Sequence, residues 1–418
     1  MASSRTSSPA GRPELKSVST GVAVGPIYAT KRVLPLGVLV VCNRNPDQAK
    51  VVRESGAGLC VPYTPEAFVA AVLSMLRKWH DDENQPLSSG FVSADMVDHC
   101  RGIQKLALRN NTMQRNVFIC SAGHSGSTLL DMMLGSHSAA ESVGELIHLP
   151  MDMALNSDCA CGSSMRSCSL WPEVMRRMGV DPFGDPYALN LGYAIAEVGD
   201  ARRTSLLHRL LTRPKFAMKY YQLRYGLSFL AALTPGLTHG ISNTLAVYDH
   251  VRAVTGKRVI VDSTKHYVLA ASIYLAQPER TRVVILVRDG RGVFYSGLKR
   301  GLGRDSSLRS WRDHYKRALE LLDRRVPEAH RTLVYYEDMV TNTERTISKL
   351  CDFLGMGFEP SMLDFSAVTH HNVNGNNIKF TSTSELRLDE IWKTKLDPAD
   401  RNYFERRAGA MNRRLGYV

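Results

Sequence analysis

The stretch Val117-Phe118-Ile119-Cys120-Ser121-Ala122-Gly123-His124-Ser125-Gly126-Ser127-Thr128-Leu129-Leu130 decides how the chain is read. Val117 to Ser121 reads as a buried strand, and the small residues after it read as a turn. A helix is expected from about Ser127, anchored in the core by Leu129, Leu130, Met133 and Leu134. A strand, a tight turn and a helix start together make an anion site, because the first N–H groups of a helix lack internal partners and its dipole favours negative charge. Gly123 and Gly126 let the backbone approach oxygen atoms closely, while Ser127 and Thr128 add hydroxyl donors. A nucleoside triphosphatase would carry Gly-x-x-x-x-Gly-Lys-Ser/Thr. Here no lysine follows Gly126, and Gly123 and Gly126 stand closer together than that pattern requires. An ordinary strand-to-helix turn explains this string equally well, so the decision rests on the rest of the chain.

Outward from this stretch, strands are expected at Arg258 to Val261, Arg282 to Val287 and Thr332 to Tyr335, alternating with helical segments. That alternation predicts an α/β fold: a P-loop-type parallel sheet flanked by helices, with a small N-terminal α/β fragment before it. Val287 ends an apolar run, and Arg288 follows it at the strand end, where a guanidinium can grip a phosphate bidentately. Ser296 lies eight residues further on, in the next helical segment. A structural ion pair between Arg288 and Asp289 is the competing reading. Thr341 and Glu344 suggest a capping box for a helix that buries Ile347, Leu350, Cys351 and Leu354 and stops at Gly355. Residues 151–250 read as mainly helical with loops.

The chain has 418 residues, is 44% hydrophobic and carries a formal net charge of +13. This composition suits a folded protein with anionic partners. No like-charge block or interleaved aromatic and basic patch points to nucleic acid, so a phosphate-rich small molecule fits better. The eight cysteines do not form a disulfide framework in a chain of this length. Met1 to Pro13 lacks the apolar segment of a signal peptide, and no apolar run is long enough to span a bilayer. A cytoplasmic protein, with room for peripheral membrane contact, is expected. The expected organisation is a disordered tail over 1–25, an α/β fragment over 26–84, a linker over 85–115 and the main domain over 116–418.

Ser125-Gly126-Ser127-Thr128-Leu129-Leu130 resembles the 5′-phosphosulfate-binding motif of sulfotransferases that use PAPS, 3′-phosphoadenosine-5′-phosphosulfate. Arg288 and Ser296 resemble that family's 3′-phosphate motif. Tyr335-Tyr336-Glu337-Asp338 and Phe353-Leu354-Gly355 resemble further stretches of its fold. Asn374-Gly375-Asn376 with Lys379 resembles the C-terminal loop that covers the nucleotide, with Lys in place of Arg. The resemblance spans roughly residues 116–418. It implies PAPS as co-substrate, a hydroxyl acceptor and no required metal. The donor contacts it implies are Gly123, His124, Ser125, Gly126, Ser127, Thr128, Arg288, Ser296, Asn376 and Lys379. His124 stands where the family has Arg or Lys, and histidine is only partly cationic at neutral pH.

Sulfuryl transfer needs a base for the acceptor hydroxyl and cations for the leaving phosphate. Glu145, in Val143-Gly144-Glu145-Leu146, resembles the base of tyrosylprotein sulfotransferases, and its apolar neighbours Leu146, Ile147 and Leu149 are expected to raise its pKa. Glu141 is the fallback and His148 a weaker alternative. Lys265, after the strand Val259-Ile260-Val261, is the expected leaving-group cation, with His124 able to share the task. Cys159, Cys161 and Cys168 invite a zinc reading, but their spacing is tight and no fourth ligand is evident in the sequence. They are read instead as a structural or substrate-side loop without metal.

Residues 31–80 resemble the end of a two-lobed nucleotide-sugar glycosyltransferase, through Gly56-Ala57-Gly58-Leu59-Cys60-Val61-Pro62 and the following Pro65-Glu66-Ala67. An unrelated α/β appendage reads almost as well. The association suggests a carbohydrate or glycolipid acceptor. The alternative to an enzyme is an inactive PAPS- or PAP-binding module that senses or scaffolds.

Overall fold

The computed structural model describes residues 114–191, 217–227 and 235–418, together with the backbones of strands at 40–43 and 58–61. The chain divides into two compact units, Met1–Gln104 and Lys105–Val418. In the first, β1 (Val40–Asn43) pairs in parallel with β2 (Gly58–Val61), Val40 opposite Gly58 and Asn43 opposite Val61. The expected tail over 1–25, the Pro65-Glu66-Ala67 stretch, and the linker up to Met113 lie outside the described residues.

The second unit is built on a five-stranded parallel sheet in the order β4-β5-β3-β6-β7. Its strands are β3 (Arg115–Cys120), β4 (Ala140–Gly144), β5 (Val259–Lys265), β6 (Thr281–Val287) and β7 (Arg331–Tyr335). β3 and β6 carry apolar runs over Val117–Cys120 and Val283–Val287, and β5 opens on Val259-Ile260-Val261, as strands covered on both faces require. Alternate residues serve opposite faces. Phe118, Cys120, Ile260, Val283, Ile285 and Val287 join one core cluster, and Val117, Ile119, Val259, Val261, Val284 and Leu286 join the other.

The first cluster is closed by α4 (Pro235–Thr255), α5 (Tyr267–Ala276), α6 (Gly290–Lys299), α7 (Arg304–Arg325) and α10 (Pro398–Arg414), with Trp311, Tyr315, Phe294 and Phe404 at its centre. The helices α2 (Leu149–Leu155) and α3 (Trp171–Arg177) add to it from the segment after β4. The second cluster is closed by α1 (Ser127–Gly135), α8 (Tyr336–Thr341) and α9 (Thr343–Leu354).

β4 was not foreseen. It carries Glu141 and Ser142 and so lacks an apolar run, yet all five residues are buried. Polar partners offset that burial: Asn372 Nδ2 donates to Ser142 Oγ at 2.6 Å. The proposed capping box is corrected as well. α9 begins after Asn342, with no side-chain cap, while Thr341 Oγ1 donates to the Glu337 carbonyl within α8 at 2.9 Å. The rest of that helix is as expected: Ile347, Leu350, Cys351 and Leu354 are buried, and Gly355 closes it at φ 70°. No helix among the described residues is long and apolar enough to cross a membrane.

Candidate active site

Strand ends build the pocket. The C-terminal ends of β3, β4, β5 and β6 lead into His124, Glu145, Lys265 and Arg288, which all line one cavity of about 560 Å³. This is the edge at which open parallel sheets hold ligands. Gly126, Ser127 and Thr128 form its floor, Ser296 one wall, and Asn374, Gly375 and Asn376 the opposite rim.

The turn between β3 and α1 is held from beneath. Tyr315 donates from its hydroxyl to the Leu286 carbonyl at 2.6 Å and accepts the Ala122 N–H at 3.2 Å. Ser125 Oγ lies 3.3 Å from the same hydroxyl. Ser125 is therefore a buried brace and does not line the cavity, and Gly123 sits exposed on the outer bend. Gly126 occupies the N-cap of α1 at φ 88°, and no side chain caps the helix. A Cβ at Gly126 would lie 2.5 Å from Tyr336 Cδ2, so the position needs glycine for both backbone and space. The uncapped start of α1 faces the cavity through Ser127 and Thr128, the arrangement that suits an anion.

His124 and Lys265 both adopt left-handed backbone, at φ 62° and 75°. Such conformations are costly for residues with a Cβ and gather at functional sites. Here they turn two side chains at neighbouring strand ends into the same cavity. Burial, then the charges of Arg300, Lys265 and Arg288, hold the His124 pKa below its ordinary value. The shift disfavours the charged imidazole, against the cationic share expected of His124.

Lys265 Nζ is paired with Glu145 Oε1, and His148 Nε2 lies 3.5 Å from Glu145 Oε2. Burial pushes the Glu145 carboxyl up, as expected, but the hydrogen bonds and charges of His148 and Lys265 outweigh it and bring the pKa down to about 2. The expected rise is therefore overturned: the apolar neighbours bury Glu145, and its two polar partners decide its charge. Of the other two base candidates, His148 supports Glu145 without lining the cavity. Glu141 lies on β4 outside it, with its pKa raised to about 7 by burial.

Arg288 is buried and committed. It donates from Nη1 to the His124 carbonyl at 3.0 Å and from Nη2 to Asp389 Oδ2 at 2.9 Å, and it stacks over Tyr336 at 4.5 Å. The partner of Arg288 is thus Asp389 and not the adjacent Asp289, which pairs with Arg291 at 2.6 Å. Ser296 lines the cavity from α6, its hydroxyl donating to the Gly292 carbonyl at 3.0 Å. Asn376 lines the rim, and its N–H donates to Thr128 Oγ1 at 3.2 Å. Lys379 is turned away: its ammonium donates to the Asp158 carbonyl at 3.3 Å.

Lys299 and Arg300 also line the cavity and were missed. They follow Ser296 by three and four residues, the spacing that keeps side chains on one helix face, so the signal was present. The cavity has five basic residues counting His124, against Glu145 and Asp389. The three clustered cysteines also gain a partner that the sequence did not show. Cys159, Cys161 and Cys168 have a fourth partner, His371, which lies 203 residues beyond Cys168.

A profile of the Sulfotransferase family matches residues 204–360. The chain is 27% identical over 159 residues to Sulfotransferase 2A6 of Rattus norvegicus, covering 31% of this chain and 53% of that protein. It is 28% identical over 136 residues to Sulfotransferase 2A1 of the same organism, covering 28% and 45%. The chain spans about half the length of the curated relatives it matches. Among solved structures, a sulfotransferase domain from the Synechococcus PCC 7002 olefin synthase is similar at 19% identity and TM-score 0.43, covering 73% of this chain and 96% of that one. A sulfotransferase domain from the curacin biosynthetic pathway is similar at 19% identity and TM-score 0.42, covering 73% and 99%. The profile match and both curated alignments each cover less than half of this chain.

Proposed function

We propose that the chain transfers a sulfuryl group from PAPS to an acceptor hydroxyl. One observation carries this reading: an uncapped helix start, Lys265, Arg288 and Ser296 line a single cavity with a buried carboxylate, Glu145. The α1 N-terminus, Ser127 and Thr128 hold the 5′-phosphosulfate end. Arg288, Ser296, Lys299 and Arg300 hold the 3′-phosphate, a guanidinium being suited to a bidentate grip. Asp389 yields Arg288 to that phosphate.

In the transfer, the acceptor oxygen bonds to sulfur as the bond between sulfur and the 5′-phosphate oxygen breaks. Glu145 takes the acceptor proton, and Lys265 meets the charge that builds on the leaving oxygen. The Glu145–Lys265 pair couples these roles. While Lys265 is bound to it, Glu145 is ionised but a poor base. As Lys265 turns to the donor, the carboxylate loses its nearest cation inside a buried site, and its basicity rises. The carbohydrate or glycolipid nature of the acceptor is proposed from the resemblance at residues 31–80.

Labelled PAPS offered with a panel of glycans, glycolipids and peptides tests the reading. Label should pass to an acceptor with release of PAP, and the transfer should fall in Lys265→Ala. PAP binding without transfer to any acceptor class would favour the sensor or scaffold alternative, and ATP turnover with magnesium would favour a kinase.

A further inference from the structure

We propose that Cys159, Cys161, Cys168 and His371 bind one zinc ion in a structural site that fixes the loop forming the rim of the cavity.

The four donor atoms lie within 4.8 Å of one another. Cys161 Sγ and Cys168 Sγ are 3.8 Å apart, and Cys168 Sγ is 3.2 Å from His371 Nδ1. In a tetrahedral site with zinc–sulfur bonds of about 2.3 Å and zinc–nitrogen bonds of about 2.0 Å, ligand atoms stand roughly 3.5 to 3.8 Å apart. These two separations are therefore close to metal spacing, and small side-chain rotations bring the remaining donors to it. A disulfide would require sulfurs about 2.0 Å apart, and Cys159, Cys161 and Cys168 are all thiols. One disulfide would also leave a third thiol and an imidazole converging on the same point without purpose.

The local backbone is shaped for the task. Asp158 and Ser164 form an antiparallel bridge, Cys159 N–H donates to the Ser163 carbonyl at 2.9 Å, and Gly162 N–H donates to the Cys159 carbonyl at 3.0 Å. Gly162, at φ 84°, completes a knuckle that presents Cys159 and Cys161 side by side. Cys168 precedes α3, and the Leu170 N–H donates to its sulfur at 3.4 Å, a contact that stabilises a thiolate. Trp171 Nε1 donates to the His371 carbonyl at 2.8 Å and fixes the histidine from behind.

Three thiolates and one imidazole form a soft donor set that favours zinc. All four positions come from protein, so the site is closed and structural rather than catalytic. Its consequence lies three residues further on, where Asn374, Gly375 and Asn376 form the rim of the cavity. Asn374 N–H donates to Asp152 Oδ2 at 2.9 Å, and Lys379 reaches the Asp158 carbonyl. A metal joining His371 to the cysteine knuckle would hold this loop against the segment that follows β4.

The full chain, expressed without added metal and purified under reducing conditions, should contain one zinc ion per chain by elemental mass spectrometry. Mercurial titration of its thiols should release that zinc. Cobalt exchanged into the site should show the visible bands of a tetrahedral thiolate complex. His371→Ala and Cys161→Ser should lose the metal. The wild-type measurements stand even where a variant fails to fold. A folded wild-type chain that takes up no zinc on reconstitution would overturn the proposal. So would a Cys161–Cys168 disulfide found by peptide mapping, or zinc retained in both variants.

Discussion

Lys265 and Glu145 form an ion pair between the C-terminal ends of two adjacent parallel strands, inside the cavity that Arg288 also lines. Neither side chain is placed by a helix or by a long loop. Each leaves the end of its strand directly, Lys265 through left-handed backbone, so their separation is set by the register of β4 on β5. In the proposed transfer both groups already stand at the strand edge, and Lys265 has to turn from Glu145 to the donor.

Glu145→Gln keeps the shape of the side chain and removes its basicity. Sulfuryl transfer should fall by about a hundredfold to ten-thousandfold, while PAP still raises the melting temperature. Steady-state turnover and a thermal shift on the same preparation check this. Loss of PAP binding together with activity would assign Glu145 to donor binding instead.

The same pair makes stability depend on pH. The Glu145 pKa in the folded chain is about 2, below its ordinary value of 4.5, so the folded state favours the ionised form. Its contribution is present above about pH 4.5 and is lost as pH falls toward 2. Wild type should exceed Glu145→Gln by on the order of 2 kcal/mol near pH 7. The two should converge as the pH falls to about 2, as urea unfolding would reveal. A difference constant across that range would contradict the depressed pKa.

Gly126→Ala forces a Cβ into left-handed backbone and against the Tyr336 ring. The conformation alone costs about 1–2 kcal/mol, and the contact adds to it. The variant should melt several degrees lower and bind PAP weakly, because α1 can no longer present its first N–H groups at the cavity. A thermal scan with and without PAP measures both effects.

Asp389 is paired with the Arg288 guanidinium at 2.9 Å. Asp389→Asn should tighten PAP binding by about two- to fivefold, the size of a part-exposed ion pair. Weaker binding in calorimetry would show that Asp389 helps hold the nucleotide.

Much of this was legible in the chain. β3, β5, β6 and β7 each contain a short apolar run, and each was located to within a few residues. The positions that declare themselves by type, Arg288, Lys265 and Glu145, do line the cavity. β4 was not legible, because Glu141 and Ser142 break the apolar pattern and their burial depends on partners such as Asn372, more than two hundred residues away. The charge of Glu145 was misread for a similar reason: neighbours in sequence indicated burial, while Lys265, 120 residues on, supplied a decisive partner. Lys379 and Ser125 belong to motifs that occur at the right place in the chain, but their polar groups are used by Asp158 and Tyr315. Asp389 and His371 carry no local signal at all. Only the fold brings them to Arg288 and to the cysteines.

Calorimetric titration of the wild-type chain with PAP and with ADP, which lacks the 3′-phosphate, tests the central claim most directly. PAP should bind at least about tenfold more tightly than ADP, and Arg288→Lys should remove most of that preference by breaking the bidentate grip. Equal affinity for the two nucleotides, or no binding of PAP, would contradict the account.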